Sequence, residues 1–515
     1  MIRKIAKFWP LILLLLLTVL LRLFKLEELF YFTYDEAVPA FVGRKIILFQ
    51  HIPLIGGVTP FGFHLGPYFY WFYSLLLFIG NLNPIIWGWA SALLASATTY
   101  LIYKVGREFG KKKLAFTAAV FWTFSYLANV YDRHLWALYW GPLTALLTVF
   151  CLSRIIKGQK KFIYLLASVL ALSIHADPSN LVFVLVALTS FVQFRLPLRR
   201  AIVIFITFNV VFFTPLVIFD LKHNFANSRP LLEFMNRGNN NPAFNIDKFS
   251  NNALLFPRTF TRLIYTFGDN EISKQYSYCR FYISERYSRI PSTLLILSSL
   301  FLIGFIYWSL KLNNIAGWKI ISGAILSYFI GIQIYGTLFQ ADIFEHYLAG
   351  LFPLFLLAAA KLISSFPKKI WILALVVFMA LNLYKLFTSQ NMMGLTAKKS
   401  AIEYTLKHVG ANPFSLDSLS TCWKYNGYRY LFTVFGKEPV KSYVDPNFAY
   451  LYGDTPVWEK HPKDVVAFVV HDFQPETEDF YKRYNRLKRH QTKFAFFGNI
   501  EVILLDNSSG WFDQP

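Results

Sequence analysis

The sequence predicts an all-α polytopic membrane protein with about eleven transmembrane helices, further juxtamembrane helices and a small C-terminal α/β domain outside the membrane. Of its 515 residues, 55% are hydrophobic without counting glycine, which is more than soluble domains usually contain. The formal net charge is +22, but many of the Lys and Arg residues form short clusters between apolar runs. This pattern is typical of cytoplasmic loops and argues against a nucleic-acid-binding role. After residue 388 the apolar runs shorten and charges become more frequent.

Eleven apolar segments have the length of transmembrane helices. The first follows Arg3, Lys4 and Lys7 and therefore imitates a signal peptide, but no small-residue cleavage site follows it. We therefore expect it to be retained as the first span. The predicted spans are 8–24, 84–103, 114–131, 137–153, 162–176, 181–194, 201–219, 292–310, 318–339, 346–365 and 369–388.

The apolar segment 66–80 is not counted as a span, because an additional span there would place the basic loops on both sides of the membrane. With eleven spans, every basic cluster lies on the cytoplasmic side, whereas a twelfth span at 66–80 would divide the clusters between two compartments. We expect 66–80 to be a juxtamembrane or re-entrant helix. The N-terminus is then cytoplasmic, the C-terminal domain is extracytoplasmic, and the protein lies in the plasma membrane. The clusters are 3–7, 104–113, 154–161, 195–200, 311–319 and 367–369.

Asp35 and Glu36 follow the first span on the predicted outer side. A carboxylate beside a bilayer is costly to desolvate, so this pair is a candidate site, although a solvated loop with an N-cap Asp would also explain it. Adjacent side chains do not share a helix face. We therefore expect one carboxylate to react and the other to hold local structure.

Three further polar clusters fall on the same predicted side, and each has a structural alternative. A snorkelling Arg with an Asp partner would explain Asp132-Arg133-His134. Helix capping before Pro178 would explain His175 and Asp177, and entry into a span through an aromatic belt would explain Glu345-His346-Tyr347. Together with Asp35 and Glu36 they favour a functional site on this face. The clusters are Asp132-Arg133-His134, the pair His175 and Asp177, and Glu345-His346-Tyr347.

The long segment 220–291 contains an asparagine-rich run and then the stretch 254–268, where Arg258 and Arg262 accompany bulky apolar residues. This pattern suits an interfacial helix at the headgroups, and a loop helix packed on the bundle explains it equally well.

The C-terminal segment 389–515 is predicted to be a separate α/β domain following a membrane domain of residues 1–388. Stretches typical of helices (398–408 and 475–489) alternate with stretches typical of strands (465–472 and 493–505). It has no metal-ligand spacing, glycine-rich phosphate loop or nucleophile elbow. We expect it to serve acceptor handling or stability and to be dispensable for the chemical step. Cys279 and Cys422 could pair if both face an oxidising compartment.

One ionised carboxylate with nearby cations suits a particular group-transfer reaction. Hydrolysis of an ordinary glycosidic bond needs a second carboxyl group to protonate the leaving oxygen. If the leaving group is a phosphate, its developing charge can be met by Arg, His or a metal instead. A single carboxylate is then sufficient as general base on the acceptor.

The order of features resembles the GT-C glycosyltransferases of the protein O-mannosyltransferase and lipid A aminoarabinose transferase type (glycosyltransferase family 39). The resemblance covers roughly residues 1–365, and Asp-Glu after the first span is its most specific motif. In that family the segment that resembles 63–80 is a juxtamembrane element. The matching elements are the first span, Asp35-Glu36, 63–80, 104–113, the Arg133 region and 345–353.

The resemblance implies a polyprenyl-phosphate-linked sugar donor and inversion at the anomeric carbon. It also implies that Asp35 contacts the acceptor as the base and that Glu36 supports it. His64 matches a family histidine, although His64-Leu-Gly-Pro67 stands where the family often has His-Pro-Pro. The residues expected to bind the donor phosphate or substrate are Arg133, His134, His64, His346, Tyr347, Arg258 and Arg262, with His175 and Asp177 as secondary candidates.

Two other functions compete with this hypothesis. A transporter or flippase for lipid-linked glycans predicts charges in mid-span and two related halves, but the only charge inside a span that stands out is Arg22, near a span end. A non-catalytic scaffold presenting the C-terminal domain would tolerate loss of Asp35. The expected partners are the lipid-linked donor, membrane lipids and an acceptor protein, lipid or glycan; no cofactor is predicted, and a divalent metal is left open.

Overall fold

The computed structural model describes residues 2–30, 32–59, 61–133, 135–236, 245–267, 290–338, 341–390, 394–419, 427–452, 457–471 and 478–513. His134, Cys279 and Cys422 lie outside these residues, so the predicted phosphate contact of His134 and the predicted disulfide stay predictions.

Helices form most of the described residues up to 388, and every predicted span is helical along most of its described length. The helices of this part are α1 Ile2–Leu23, α2 Leu26–Leu29, α3 Tyr34–Ile47, α4 Tyr68–Ile79, α5 Ile85–Phe109, α6 Lys112–Phe124, α7 Tyr126–Tyr131, α8 Trp140–Ile156, α9 Phe162–Ile174, α10 Leu181–Gln193, α11 Leu198–Lys222, α12 Ser228–Asn236, α13 Ile246–Ile264, α14 Ser292–Tyr307, α15 Ala316–Gln333, α16 Phe352–Ser365 and α17 Lys368–Phe387.

Six helical segments among the described residues are long and apolar enough to cross a membrane. The other apolar helices are shorter, so the number of spans stays a prediction while the membrane character of the protein is clear. The six are Ile85–Phe109, Leu198–Lys222, Ser292–Leu312, Ala316–Thr337, Glu345–Ser365 and Lys368–Phe387.

The predicted span 114–131 is not one continuous helix. Ser125 leaves the helical conformation and separates α6 from α7. Its hydroxyl donates a hydrogen bond of 2.7 Å to the carbonyl of Leu263 and so ties this break to the end of α13. The break matters because α7 leads directly to Asp132, its C-cap residue and one of the predicted site residues.

Contacts between loops join several basic clusters at one end of the bundle, called the basic end here. Glu108 pairs with Lys157 at 2.5 Å and also with Arg154. Lys113 donates to the carbonyl of Phe366 at 2.5 Å. These contacts join the clusters after α5 and α8 to the one before α17. The opposite end, where α1 ends, is called the tail-side end; which compartment each end faces stays a prediction.

Segment 66–80 forms the short helix α4, whose 12 residues span about 18 Å and fall short of a bilayer core. Its buried side chains recur at the spacing of one helix face, and that face packs on α3. This geometry suits the predicted juxtamembrane helix. The buried residues of α4 are Tyr70, Tyr73, Ser74 and Leu77.

The C-terminal part contains a five-stranded sheet flanked by helices. The strand order is β2-β1-β3-β5-β4, with β1 parallel to β2 and β3, and with β5 antiparallel to β3 and β4. The elements are α18 Leu395–Val409, β1 Phe414–Leu419, α19 Tyr428–Phe435, β2 Lys441–Ser442, α20 Asp445–Phe448, β3 Asp464–Val470, α21 Glu478–Arg489, β4 Gln491–Phe497 and β5 Ile500–Asp506.

The prediction of one strand over 493–505 was wrong. The chain reverses at Gly498, whose φ of 62° suits a tight turn, and the segment forms the antiparallel pair β4 and β5. The strands β1 and β2 were not predicted. The predicted strand over 465–472 is confirmed from 465 to 470 as β3, which is almost entirely buried; residue 472 lies outside the described residues.

One hydrophobic core joins the C-terminal part to the loop that follows α1. It contains Phe30, Phe32 and Phe41 from that loop and α3, together with Tyr430 and Phe468 from the C-terminal part. The division at residue 388 therefore stays a prediction from composition, whereas packing is continuous across it.

Candidate functional site

Glu36 is the residue of the carboxylate pair that holds local structure. Its Oε2 accepts hydrogen bonds of 2.8 Å from both the backbone N–H and the hydroxyl of Thr33, the N-cap residue of α3. Only 2% of Glu36 is exposed. This is one half of a capping box, in which an acidic residue at the third helical position binds the N-cap. The local sequence Thr-x-x-Glu therefore explains where α3 begins.

Asp35 lies beside Glu36 in the first turn of α3 and is only half-buried. Because adjacent residues of a helix diverge by about 100°, the side chains of Asp35 and Glu36 leave α3 in different directions. A carboxylate in the first turn of a helix is also favoured by the helix dipole. The two side chains thus have different surroundings, as expected for a division of labour.

The turn that leads into α3 is strained and tightly held. Phe32 has a φ of 49°, in the left-handed region that costs a non-glycine residue about 1–3 kcal/mol. Its side chain is fully buried, and its ring lies 6.4 Å from that of Trp87 and 5.6 Å from that of Tyr430. Its carbonyl accepts a hydrogen bond of 2.7 Å from the ammonium group of Lys398. Residues of the C-terminal part therefore fix the backbone directly before Asp35.

Lys398 is a buried cation of α18, 1% exposed, close to the carboxylate of Glu36. Burial lowers the pKa of Lys398 to about 7, and the negative charge of Glu36 opposes that shift. Its ammonium group also lies 5.4 Å from the centre of the Tyr428 ring. Sequence reasoning missed Lys398, although a signal existed: it falls on the same helix face as Leu395 and Ile402.

Arg22 and Asp132 form a buried ion pair near the tail-side end. Nε and Nη2 of Arg22 donate to Oδ2 of Asp132 at 3.0 and 2.8 Å, and Nη1 donates to the carbonyl of Thr123 at 2.6 Å. Arg22 is completely buried. The Asp132 carboxylate therefore has a structural partner, and this partner is Arg22 rather than the adjacent Arg133.

Arg133 caps the end of α1. Its guanidinium donates to the carbonyls of Leu21, Arg22 and Phe24 at 3.2–3.3 Å, and only 2% of the residue is exposed. The last carbonyls of a helix lack intrahelical donors, so these bonds give Arg133 a structural role. A contact with a donor phosphate stays a prediction for this residue.

His64 and His175 both hold the loop between α3 and α4. Nδ1 of His64 lies 2.9 Å from the carbonyl of Gly56, and its backbone N–H donates to Oδ1 of Asn227 at 2.6 Å. Nδ1 of His175 accepts from the backbone N–H of Gly66 at 3.1 Å. A Cβ on Gly66 would lie 2.6 Å from that nitrogen, so this approach requires glycine.

Asp177 is the N-cap of a short 3₁₀ helix, Pro178–Asn180, and its Oδ1 accepts from the backbone N–H of Ser179 at 2.8 Å. Burial raises the pKa of Asp177, and nearby His346 opposes the rise. Helix capping therefore accounts for Asp177, while its proximity to His346 joins two of the predicted clusters.

The motif Glu345-His346-Tyr347 opens a short 3₁₀ helix, Glu345–Leu351, that leads into α16. Glu345 and Arg262 form a buried ion pair with Nη1 and Oε2 2.5 Å apart. The His346 ring lies 4.6 Å from the Tyr347 ring and 5.3 Å from Trp136, which sequence reasoning also missed. Because Trp136 closely follows Arg133, this contact brings the Arg133 region and the Glu345-His346-Tyr347 cluster together.

The helix predicted over 254–268 is part of the longer α13, which ends at Ile264. Leu255, Phe256 and Leu263 of α13 are buried, and the helix packs on α14, α15 and α16. A helix packed on the bundle, the second of the two expectations, is therefore observed. Arg258 lies one turn before Arg262 and is half-buried.

No three His, Cys, Asp or Glu side chains converge as a metal site in the part of the chain that the structure describes. A divalent metal therefore stays an open prediction.

No protein-family model matches the sequence, and no curated protein matches it either. Among solved structures, ArnT from Cupriavidus metallidurans bound to undecaprenyl phosphate aligns with 96% of this chain and 98% of its own, at 12% identity and a TM-score of 0.44. ArnT in the apo state aligns with 97% and 98%, at 11% identity and a TM-score of 0.48. The Archaeoglobus fulgidus oligosaccharyltransferase complex with Zn and sulfate aligns with 89% of this chain and 67% of its own, at 11% identity and a TM-score of 0.49. All three alignments are at 11–12% identity with TM-scores below 0.5, so the family expected from the sequence stays a prediction.

Proposed function

We propose that this protein is a membrane glycosyltransferase that moves a sugar from a polyprenyl phosphate to an acceptor at the tail-side end of its bundle. The observation that carries the proposal is the separation of roles within the carboxylate pair. Glu36 is buried in the capping box with Thr33, whereas Asp35 is half-buried in the same helical turn. One carboxylate acting as general base beside a second, structural carboxylate suits a transfer in which phosphate is the leaving group.

In the proposed reaction Asp35 is the catalytic base. Its carboxylate accepts the proton of an acceptor nucleophile, the nucleophile attacks the anomeric carbon from the face opposite the phosphate, and the carbon–oxygen bond to the phosphate breaks. The products are the glycosylated acceptor with inverted configuration, polyprenyl phosphate and protonated Asp35. General base catalysis of this kind contributes roughly 10²–10⁴ to the rate.

The leaving phosphate requires positive charge, and α13 supplies the proposed cations. Arg258 and Arg262 lie one turn apart on this helix, and Arg262 is oriented by its ion pair with Glu345. Arg133 and Arg22 are directed instead to helix carbonyls and Asp132. Because all these bonds of Arg22 are structural, the charge inside the first span offers no support for a transport pathway.

The polyprenyl chain requires an apolar surface next to these cations. An apolar cavity of about 300 Å³ lies between α6, α13, α14, α16 and α17, and it is lined by Phe260 and Ile264, which flank Arg262 in sequence. A donor with its phosphate at α13 would place its lipid along this cavity. We therefore assign the cavity to the proximal isoprene units.

The proposal is tested in cells that lack the gene and are complemented with wild type, Asp35→Asn or Glu28→Gln. Glu28 is the matched control because it is a carboxylate of the same loop, 37% exposed at its side chain and paired with Lys25. Mass spectrometry of envelope glycans should show a product that wild type and Glu28→Gln restore and Asp35→Asn does not. Restoration by Asp35→Asn, or identical glycans with and without the gene, would contradict the proposal.

A further inference from the structure

We propose that Lys398 of the C-terminal part is a positioning residue for Asp35, which makes that part a component of the catalytic unit. This inference rests on the proposed function and goes beyond it, because the C-terminal part was expected to be dispensable for the chemical step. Lys398 lies on α18, more than 360 residues from Asp35 in sequence, yet its ammonium group reaches the backbone of the turn before α3, at the carbonyl of Phe32.

The geometry shows how one side chain acts on this turn in two ways. The Lys398 ammonium donates to the carbonyl of Phe32 at 2.7 Å, three residues before Asp35, and interacts electrostatically with Glu36, the residue after it. It therefore stabilises both the left-handed conformation of Phe32 and the acidic member of the capping box. Asp35 lies between these two held positions, so the direction of its carboxylate depends on them.

Other contacts of the C-terminal part converge on the same turn. The backbone N–H of Leu395 donates to the carbonyl of Phe30 at 2.8 Å. Gly427, at a φ of 68°, lies so close to Phe32 that a Cβ there would be 2.9 Å from its ring. The ring of Tyr430 lies 5.6 Å from that of Phe32.

Two further contacts of the C-terminal part lie towards the end of α3. Arg44 and Glu438 pair at 2.9 Å, and Lys45 donates to the carbonyl of Tyr450 at 2.5 Å. The C-terminal part therefore contacts α3 along its length, but only Lys398, among the described residues of that part, brings a buried cation to its beginning. A mere docking surface would not require a desolvated charge at this point.

The test compares Lys398→Met, which removes the ammonium, with Lys399→Met, which removes the adjacent exposed lysine. Three quantities are measured on the full-length purified proteins: hydrogen–deuterium exchange of the peptide covering 32–38, binding of undecaprenyl phosphate by native mass spectrometry, and restoration of envelope glycans in cells. Lys398→Met should accelerate exchange in 32–38 by at least tenfold and lower glycan transfer by at least tenfold. Binding of undecaprenyl phosphate should change less than threefold, and Lys399→Met should resemble wild type throughout.

Lys398→Arg and Gly427→Ala keep the test decisive if Lys398→Met does not accumulate. Lys398→Arg retains a cationic donor and should restore part of the transfer, whereas Gly427→Ala should disturb Phe32 from a second direction and lower it. Unchanged exchange at 32–38 in Lys398→Met would overturn the inference whatever the protein catalyses. Asp35→Asn is measured in parallel: full transfer by Asp35→Asn refutes the proposed function, while loss in Asp35→Asn with full transfer in Lys398→Met refutes the positioning role alone.

Discussion

Arg22 and Asp132 join the end of the first helix to the loop after α7 through a buried ion pair in which two guanidinium nitrogens bind one carboxylate oxygen. Since Arg133 caps α1 from the same loop, the two arginines hold the loop from both sides. The pair thus holds the end of α1 and the loop after α7 together at the tail-side end.

Asp132→Asn should destabilise the protein strongly, because it leaves the guanidinium of Arg22 buried without a counter-charge. Breaking a buried pair from one side costs about 3–5 kcal/mol. The half-buried pair of Lys25 and Glu28, which is far more solvated, gives the control, and Glu28→Gln should cost less than about 1 kcal/mol. Thermal unfolding of the purified variants measures both, and equal melting temperatures for the two variants would contradict the structural role of the pair.

Glu36 should respond to substitution as a capping residue. Glu36→Gln keeps an acceptor oxygen for Thr33, whereas Glu36→Ala removes it, so only the alanine variant should lose the roughly 0.5–2 kcal/mol of a helix cap. Glu36→Gln should retain more transfer activity than Asp35→Asn. Thermal unfolding and glycan transfer are measured on the same preparations, and a more stable Glu36→Ala than Glu36→Gln would exclude the capping role.

Several of these relationships follow from the sequence, and others do not. Hydropathy and loop charge predict the helices because the bilayer imposes length and composition on each span. Because adjacent residues do not share a helix face, the sequence predicts different roles for Asp35 and Glu36. The capping box with Thr33 agrees with the structural role expected for Glu36. The capping alternative for Asp177 is likewise readable from the Pro that follows it.

Partner choice among charged residues was not predictable, because it depends on which loops meet in space. Asp132 stands beside Arg133 in sequence yet binds Arg22, more than 100 residues away. The helix face that Lys398 shares with Leu395 and Ile402 indicates burial, but its partner, the carbonyl of Phe32, follows only from the docking of α18 on that turn. The turn at Gly498 was overlooked because strand-forming residues flank it closely on both sides.

The buried Lys398 should make stability depend on pH. Its pKa falls from the usual value to about 7 on folding, so between about pH 7 and pH 10 the unfolded chain carries a proton that the folded protein lacks. Stability should then rise with pH in this window, by at most about 1.4 kcal/mol per pH unit, and fall as pH drops towards 7. The melting temperature of wild type minus that of Lys398→Met is measured from pH 6 to 9. It should be flat at the acidic end and rise above pH 7; a difference that falls with rising pH would contradict the assignment.

The sidedness of the bundle is tested by labelling introduced cysteines in intact cells. Exposed positions at the tail-side end, His51→Cys and Asp342→Cys, should react with an impermeant maleimide added outside. Lys111→Cys and Lys160→Cys at the basic end should react only after the cells are lysed. The variants are made in a background without Cys279 and Cys422, and the remaining native thiol, Cys151, is buried. Labelling of Lys111→Cys from outside would reverse the predicted topology.

The most direct test of the proposed function is the transfer activity of purified Asp35→Asn. The substitution keeps the size of the side chain and removes its basicity, so binding of undecaprenyl phosphate should persist within threefold while sugar transfer falls by about 10² or more. Glu28→Gln should retain the activity of wild type. Near wild-type transfer by a folded Asp35→Asn protein would contradict the account.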